Sequence, residues 1–114
     1  MLAEEDLQGI AREIRELFPV QRIVVFGSYA RGDAHQCSDL NICLILNESE
    51  DPPVEPWPSK SWLHRGVAVR RQIGSPEAAL DPVVFTRQEF DALKDREHPL
   101  VRQILEEGRV IYEQ

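Results

Sequence analysis

The amino-acid sequence predicts an α/β (α+β) fold in which one sheet of about four strands is flanked by helices. Helix-like and strand-like patterns of apolar residues alternate along the chain, which is typical of this fold class. The chain has 114 residues, of which 42% are hydrophobic and 29% charged, an ordinary composition for a globular protein with one core. We therefore expect a single domain that spans residues 1–114.

The first third of the chain predicts a helix, a buried strand and a second, short helix. Apolar residues recur at helical spacing over about residues 3–18, and Pro19 ends that helix. Residues 23–26 are a β-branched and aromatic run, which predicts a strand that ends at Gly27. The short helix is predicted over residues 28–32.

Residues 39–46 predict the second strand, in which successive side chains alternate between two faces. One face carries the apolar side chains of Leu40, Ile42, Leu44 and Leu46. The other face carries Asp39, Asn41, Cys43 and Ile45. Because alternate residues of a strand share a face, the polar side chains of Asp39 and Asn41 must point the same way.

The middle of the chain predicts a loop and a helix. Four prolines and several acidic residues between positions 47 and 58 predict an exposed loop without regular structure. A helix is then expected to begin at Ser59 or Ser61 and to continue to about Ile73, with Gly74 as its C-terminal stop.

The last third predicts two strands and two helices. Residues 81–86 read as a strand that Pro82 confines to a sheet edge or to the start of the strand. Thr86 and Glu89 have the spacing of a capping box for the helix that follows. The remaining elements are a helix from Pro99 to Gly108 and a strand over residues 109–112.

Net charge and cysteine content exclude several classes of protein. The formal net charge of −7 argues against broad nucleic-acid binding, because phosphate contacts need clustered Lys and Arg. No apolar run approaches the roughly 18 residues of a membrane span, and the acidic N-terminal residues do not resemble a signal peptide. Cys37 and Cys43 are too few for a disulfide framework. We therefore expect a cytoplasmic protein with reduced cysteines, and its oligomeric state stays open.

Gly27 and Ser28 lie at the junction of the first strand and the short helix, and Asp39 follows after ten further residues. At such a junction the glycine lets the backbone approach a phosphate closely, and the serine offers a hydroxyl. A pair of carboxylates on the next strand can hold magnesium ions that bridge to the same phosphates. The spacing therefore favours metal-assisted nucleotidyl transfer.

Residues 27–33, Gly-Ser-Tyr-Ala-Arg-Gly-Asp, and residues 38–41, Ser-Asp-Leu-Asn, resemble the signature of the DNA polymerase β-like nucleotidyltransferase superfamily, and in particular of its minimal nucleotidyltransferase domains. The family pattern is Gly-Ser, then Asp-x-Asp at the spacing that this chain keeps, and a third Asp from a later strand. Asp81 matches the third Asp. Residues 63–73 and 107–113 also resemble the family, so the resemblance covers nearly the whole chain.

The resemblance implies a mixed sheet, a pair of Mg²⁺ ions, and a nucleoside triphosphate as donor. Minimal members often pair with a helical HEPN-domain protein in prokaryotic toxin–antitoxin modules, and some adenylylate that partner on tyrosine. The implied function is therefore a Mg²⁺-dependent transfer of AMP from ATP to a protein acceptor, with a HEPN-domain toxin as the partner.

The family's functional residues carry over to specific positions. The resemblance implies that Asp39, Asn41 and Asp81 are the catalytic, metal-binding positions, with Asp81 helping to deprotonate the acceptor hydroxyl. The residues that it implies for phosphate binding are Gly27, Ser28, Arg31 and Ser38. Local chemistry leaves alternatives open. Arg31 could form a surface ion pair with Asp33 or another acid, and Ser38 could orient Asp39 or only shape its turn.

Asn41 departs from the family pattern, which has a carboxylate there. An amide offers a metal ion one neutral oxygen but not the negative charge that Mg²⁺ favours. Changes behind the metal ligands commonly cost about 10–100-fold in affinity or activity, so losing a ligand's charge should cost at least as much. The alternative function is a catalytically impaired module that binds nucleotide or a partner, with Trp57 and Trp62 as an apolar patch. Polynucleotide or antibiotic modification is disfavoured, since no second substrate domain is evident.

Overall fold

The computed structural model describes residues 2–35, 38–47, 62–73 and 79–114. The elements in these ranges are, in chain order, α1 (Glu4–Leu17), β1 (Val20–Phe26), α2 (Ser28–Arg31), β2 (Leu40–Leu46), α3 (Trp62–Gln72), β3 (Leu80–Phe85), α4 (Arg87–Asp95), α5 (Pro99–Glu107) and β4 (Arg109–Glu113). The order of helices and strands is the one that the sequence patterns predict.

The strands of the described ranges form one mixed sheet in the order β3-β2-β1-β4. β1 runs antiparallel to its neighbours β2 and β4, whereas β2 and β3 are parallel. Parallel neighbours need a crossover connection, and α3 lies in the chain segment between β2 and β3. The expected α/β fold with a mixed sheet flanked by helices is therefore confirmed.

Helices cover both faces of the sheet, so that β2 is buried on each side. Leu44 packs in a core with Ile14 of α1 and Val69 of α3. On the other face, Cys43 packs with Phe90 of α4 and with side chains of α5. The predicted alternation of β2 is confirmed, because its even-numbered apolar residues lie in the first core and its odd-numbered ones in the second.

The capping box predicted for α4 is present. The Thr86 hydroxyl accepts a hydrogen bond from the Glu89 backbone N–H at 3.1 Å, and Oε1 of Glu89 accepts one from the Thr86 N–H at 2.7 Å. At the start of α5, Nδ1 of His98 accepts from the Leu100 N–H at 3.2 Å. Pro99 occupies the first turn of that helix, where its missing N–H breaks no helical bond.

β1 begins at Val20, three residues before the boundary that the apolar run predicts, so that boundary was wrong. Pro19 ends α1, and Val20 pairs at once with Leu46 of β2. The residues that follow are polar and half-buried, and the ladder is irregular there. Their pairing therefore comes from the sheet rather than from an apolar pattern.

β3 is an edge strand of the described sheet, which is where the sequence confines a strand that contains Pro82.

Cys43 is a free cysteine, and burial raises the pKa of its thiol, which suits a packing role. Several expectations fall on residues outside the described ranges: the helix caps Ser59, Ser61 and Gly74, the loop over residues 48–58 with Trp57, and Cys37. The side chain of Trp62 is likewise not described. Among the described helices, none has the length and apolar character needed to cross a membrane.

Candidate active site

Gly27 forms the turn between β1 and α2. Its backbone has φ 78° and ψ −152°, a region that is almost exclusive to glycine. A Cβ placed on Gly27 would collide with Nδ2 of Asn41 and would lie 3.4 Å from the Asn41 Cγ. Glycine is therefore required here by the backbone conformation, and a Cβ would in addition force the Asn41 amide to move aside. The Gly-Ser motif and the second strand meet at this point.

The sheet register places Asn41 beside Asp81. Asn41 of β2 is paired with Phe26 at the end of β1 and with Asp81 of β3. Residues that pair across adjacent strands have side chains on the same face, and so do residues two positions apart in one strand. The register therefore puts Asn41 and Asp81 on one face of the sheet, at the end where Gly27 begins its turn. β2 begins at Leu40 and not at Asp39 as the sequence pattern predicted, so Asp39 lies just before the strand and its place on that face stays a prediction.

The predicted site is open to solvent. Asp39 and Asp81 are exposed, whereas Ser28 and Asn41 are half-buried. Backbone pairing between β2 and β3 extends to the residue before β3, since the Leu40 N–H donates to the Ala79 carbonyl at 2.8 Å. Two carboxylates, an amide and a hydroxyl thus lie at one accessible sheet end, which is the arrangement that a charged ligand can reach.

Ser38 makes hydrogen bonds within the turn that precedes β2. Its hydroxyl accepts from the His35 backbone N–H at 2.9 Å, and its own N–H donates to the His35 carbonyl at 3.0 Å. This pair of bonds is the turn-shaping role that local chemistry left open. Phosphate binding by Ser38 stays a prediction.

Arg31, at the end of α2, forms ion pairs on both sides of its guanidinium. Nε lies 3.3 Å from Oδ2 of Asp33, and Nη1 lies 3.1 Å from Oε2 of Glu107. Hydrogen bonds to Glu107 and Asp33 raise the pKa of Arg31. The predicted surface ion pair with Asp33 is therefore present, and Glu107 is a second acidic partner that the sequence did not identify. Phosphate binding by Arg31 stays a prediction.

Glu107 is the residue at this site that sequence reasoning missed. Its Oε1 accepts hydrogen bonds from the Gly27 backbone N–H at 3.0 Å, from Arg31 Nη1 at 3.3 Å and from Gln103 Nε2 at 2.7 Å. These bonds from Gln103, Arg31 and Gly27 lower the pKa of Glu107. Its position before Gly108 at a helix end was visible in the sequence, but no local pattern links it to Gly27, from which it is 80 residues distant.

The chemistry of the candidate residues suits a hard cation, with one charge fewer than a site made of three carboxylates. Mg²⁺ takes oxygen ligands, and Asp39, Asn41 and Asp81 supply two carboxylates and one amide oxygen. Within the described ranges, no three His, Cys, Asp or Glu side chains cluster closely enough to hold a metal ion. The set fits Mg²⁺ only if the Asn41 amide joins the carboxylates as a ligand, and metal binding by these residues stays a prediction.

Proteins of similar sequence are nucleotidyltransferases. A model of the nucleotidyltransferase domain matches residues 7–111. The protein adenylyltransferase MntA of Thermococcus cleftensis is 42% identical over 52 residues, which cover 42% of this chain and 52% of that protein. A candidate protein adenylyltransferase of Methanocaldococcus jannaschii is 31% identical over 93 residues, which cover 82% of this chain and 79% of that protein. A second M. jannaschii relative is matched over 56% of its length, so the chain spans about half of MntA and of that relative.

Solved structures share the fold. A candidate nucleotidyltransferase of Sulfolobus solfataricus superposes with a TM-score of 0.59 at 20% identity, over 97% of this chain and 80% of that one. The MntA–HpeT toxin–antitoxin, in a form with two Asp→Glu substitutions, gives 0.64 at 20% identity, over 99% and 75% of the two chains. A toxin–antitoxin crystallised with AMP-PNP gives 0.61 at 19% identity, with the same coverage. At these identities the likeness concerns the fold.

Proposed function

Since this chain belongs to the nucleotidyltransferase domain family, we propose that it is a Mg²⁺-dependent transferase that moves AMP from ATP to a protein acceptor. The position of Asn41, between the Gly27 turn and Asp81, carries the proposal, because it joins the phosphate-binding motif to the metal-binding positions. Relatives that are protein adenylyltransferases by name support the choice of AMP and of a protein acceptor.

The reaction is a displacement at the α-phosphorus of ATP. The acceptor hydroxyl oxygen bonds to that phosphorus, the bond to the bridging oxygen breaks, and pyrophosphate leaves with the bridging oxygen. Asp81 takes the hydroxyl proton as the new bond forms. Its exposure on an edge strand leaves room for an acceptor as large as a protein.

Nucleotide binding is divided between the turn and the strand ends. Gly27 and Ser28 contact the phosphates through backbone and hydroxyl, and the planar fork of Arg31 adds a positive charge. Asp39, Asn41 and Asp81 would hold Mg²⁺, which when bound neutralises negative charge on the triphosphate and on the pyrophosphate as it leaves. The amide at position 41 makes this the weakest part of the site.

We propose a HEPN-domain toxin as the acceptor, modified on tyrosine. The fold is shared with chains of toxin–antitoxin complexes, one of them the MntA–HpeT pair, and this likeness supports a partner of that kind. If a short helical protein is encoded beside this chain, it is the partner to test.

The test is transfer of label from ATP that carries ³²P on its α-phosphate. The chain and Mg²⁺ are incubated with a HEPN-domain protein from the same genome, and labelled protein is resolved by electrophoresis. We expect label on the HEPN-domain protein, lost when Mg²⁺ is chelated and in Asp39→Ala. An absence of label with the natural chain and with Asn41→Asp would contradict the enzymatic function.

Asn41 favours one alternative, a catalytically impaired module that binds nucleotide or the partner without transfer. In that case ATP or the HEPN-domain protein would bind, and its toxicity would be neutralised stoichiometrically, while no label would be transferred. Stoichiometric neutralisation that survives Asp39→Ala would distinguish this module from the enzyme.

A further inference from the structure

We propose that Glu107 is a positioning residue of this site: its carboxylate holds the Gly27–Ser28 turn and the Arg31 guanidinium in place for the triphosphate and does not itself contact the nucleotide. The inference rests on the proposed function, because it assigns the residue a part in nucleotide binding. Glu107 lies at the end of α5, so the proposal makes the last helix a structural support for a motif near the start of the chain.

The first contact that carries the proposal is the hydrogen bond at Gly27. Oε1 of Glu107 accepts from the Gly27 N–H at 3.0 Å, and so determines the orientation of the peptide between Phe26 and Gly27. Gly27 has a positive φ, and glycine has more conformations available than any other residue. A bond to a charged acceptor is therefore a direct way to hold this turn in one conformation.

The second contact is the pair with Arg31. Nη1 of Arg31 lies 3.3 Å from Oε1 and 3.1 Å from Oε2 of Glu107, while Nε is directed to Asp33. Among the described residues, Nη2 of Arg31 has no hydrogen-bond partner. The side chain is 47% exposed, and without Glu107 its long stem would sample many rotamers. Glu107 thus orients the guanidinium and leaves one of its nitrogens for an anion.

Glu107 is itself held in place. Gln103, one turn earlier on α5, donates from Nε2 to Oε1 at 2.7 Å, and the Glu107 side chain is only 21% exposed. The bonds from Gln103, Arg31 and Gly27 keep its pKa below the usual value, so the group is a carboxylate at neutral pH. A fixed, ionised acceptor is what a positioning role requires.

A rival explanation is that the Glu107 carboxylate occupies the place of a phosphate and competes with nucleotide. The geometry favours positioning, because the Gly27 N–H and the Gly27 Cα have different neighbours. The amide bonds Glu107, whereas the position of the absent Cβ faces Asn41, on the side of the metal-binding positions. The two explanations predict opposite changes in ATP affinity when the carboxylate is removed.

The experiment compares Glu107→Ala and Glu107→Gln with the matched variants Glu106→Ala and Glu106→Gln. Glu106 is the neighbouring, exposed acid of α5, and within the described part of the chain its one ion pair is a surface contact with Arg102 at 3.5 Å. Affinity for ATP with Mg²⁺ is measured by titration calorimetry, and hydrogen exchange of the Gly27 amide by NMR under native conditions. Urea unfolding of each variant separates loss of folded protein from loss of affinity.

We expect Glu107→Ala to weaken ATP binding about tenfold, the size of one lost charge-assisted hydrogen bond, and to speed exchange of the Gly27 amide. Glu107→Gln keeps a neutral acceptor for the Gly27 N–H. Compared with Glu107→Ala, it should therefore restore slow exchange of the Gly27 amide more fully than it restores affinity for ATP. The Glu106 variants should match the natural chain in both measurements.

Unchanged or tighter ATP binding by folded Glu107→Ala, or unchanged exchange at Gly27, would overturn the positioning role. Glu107→Gln serves if the alanine variant does not fold, because equal ATP affinity in Glu107→Gln and the natural chain would remove the role assigned to the Arg31 pair. A natural chain that does not bind ATP with Mg²⁺ would instead contradict the nucleotide-binding function itself.

Discussion

Asn41 lies where the parts of the candidate site meet. Its amide nitrogen lies against Gly27, its strand neighbour is Asp81, and Asp39 lies two positions earlier in the chain, just before β2. An amide at this point keeps the packing that a carboxylate of similar shape would have, but it removes one negative charge. A substitution at position 41 can therefore change the charge of the site without changing its fold.

Replacing Asn41→Asp should increase both Mg²⁺ binding and AMP transfer, because it restores paired carboxylates about 6.6 Å apart along one strand. Without metal the variant should be slightly less stable, since two neighbouring carboxylates repel each other. Mg²⁺ should reverse that loss by binding the folded state. The measurements are the melting shift with Mg²⁺ and label transfer, with Asp39→Ala as the control. No gain in either would mean that position 41 is not the missing ligand.

Gly27→Ala tests the close approach of the turn to β2. We expect a loss of about 3 kcal/mol in the free energy of unfolding, because alanine is strained at this φ and its Cβ collides with the Asn41 amide. Gly32→Ala is the matched control, with φ 83° but open space around its Cβ, and should cost about 1 kcal/mol. Urea denaturation measures both, and equal losses would argue against additional strain at Gly27, where both the ψ of −152° and the Asn41 amide oppose alanine.

At the scale of elements, α3 approaches the edge strand β3 so closely that only glycine fits between them. A Cβ on Gly66 would collide with the carbonyl oxygen of Pro82 and would lie 3.0 Å from its carbonyl carbon. Backbone atoms of an edge strand cannot rotate away as a side chain can. This contact fixes α3 against the segment that carries Asp81.

Gly66→Ala should therefore destabilise the protein by about 1–3 kcal/mol through overpacking, despite the better helix propensity of alanine. Gly9→Ala, in α1 with nothing within 4 Å of its Cβ, should instead stabilise it by about 1 kcal/mol. Thermal or urea unfolding of the two variants should give changes of opposite sign. A stabilising Gly66→Ala would show that α3 does not approach β3 as described.

Arg65 joins α3 to the start of α4 from inside the protein. Its side chain is fully buried, Nη1 donates to Oε1 of Glu89 at 2.6 Å and to the Val84 carbonyl at 3.0 Å, and Nη2 donates to Oε2 of Glu89 at 3.1 Å. Glu89 therefore serves both as a capping residue and as the carboxylate partner of a buried charge. The sequence indicated only the first of these roles.

Glu89→Ala should lower the free energy of unfolding by about 3 kcal/mol, more than the roughly 1 kcal/mol of a lost cap, because the buried Arg65 charge loses its carboxylate. Asp91→Ala, an exposed acid of the same helix, should change stability by less than about 0.5 kcal/mol. Chemical denaturation of both variants provides the comparison. A loss for Glu89→Ala no larger than that of a cap would contradict the buried pair.

At the scale of the whole molecule, ion pairs join elements that are distant in the chain. Arg109 of β4 pairs with Glu4 of α1 at 2.8 Å, and Glu107 of α5 pairs with Arg31 of α2. Hydrogen bonding to Arg109 lowers the pKa of Glu4, and bonds from Gln103, Arg31 and Gly27 lower that of Glu107, both from 4.5. The two carboxylates are therefore favoured in their ionised form by the folded state.

Stability should consequently depend on acid pH in a defined direction. A carboxylate whose folded-state pKa is lowered stabilises the fold above its unfolded pKa, and that stabilisation is lost as pH falls through the folded value. We expect these two contributions to be complete above about pH 5.5 and to decline from about pH 4.5 downward. Urea titrations from neutral pH to pH 3 measure this, and Glu4→Gln with Glu107→Gln should flatten the decline.

Local patterns in the sequence were sufficient for most elements and for the face of each residue in β2. The period of apolar residues, the proline positions and the Thr86–Glu89 spacing depend on neighbours within a few positions, so they can be interpreted without a fold. The start of β1 could not be predicted in this way, because Val20 joins the strand through its partner Leu46 and not through an apolar run.

The motif from Gly27 to Asn41 was likewise visible in the sequence, since its residues lie close together in the chain. This motif sufficed to indicate the family. Only the folded chain brings Asn41 beside Asp81 and Glu107 beside Gly27. Those contacts join segments tens of residues apart, and their geometry follows from the register of the sheet and the packing of α5 against it. No local periodicity carries that information, because strand pairing and side-chain contacts across a fold are determined by the packing of the whole core.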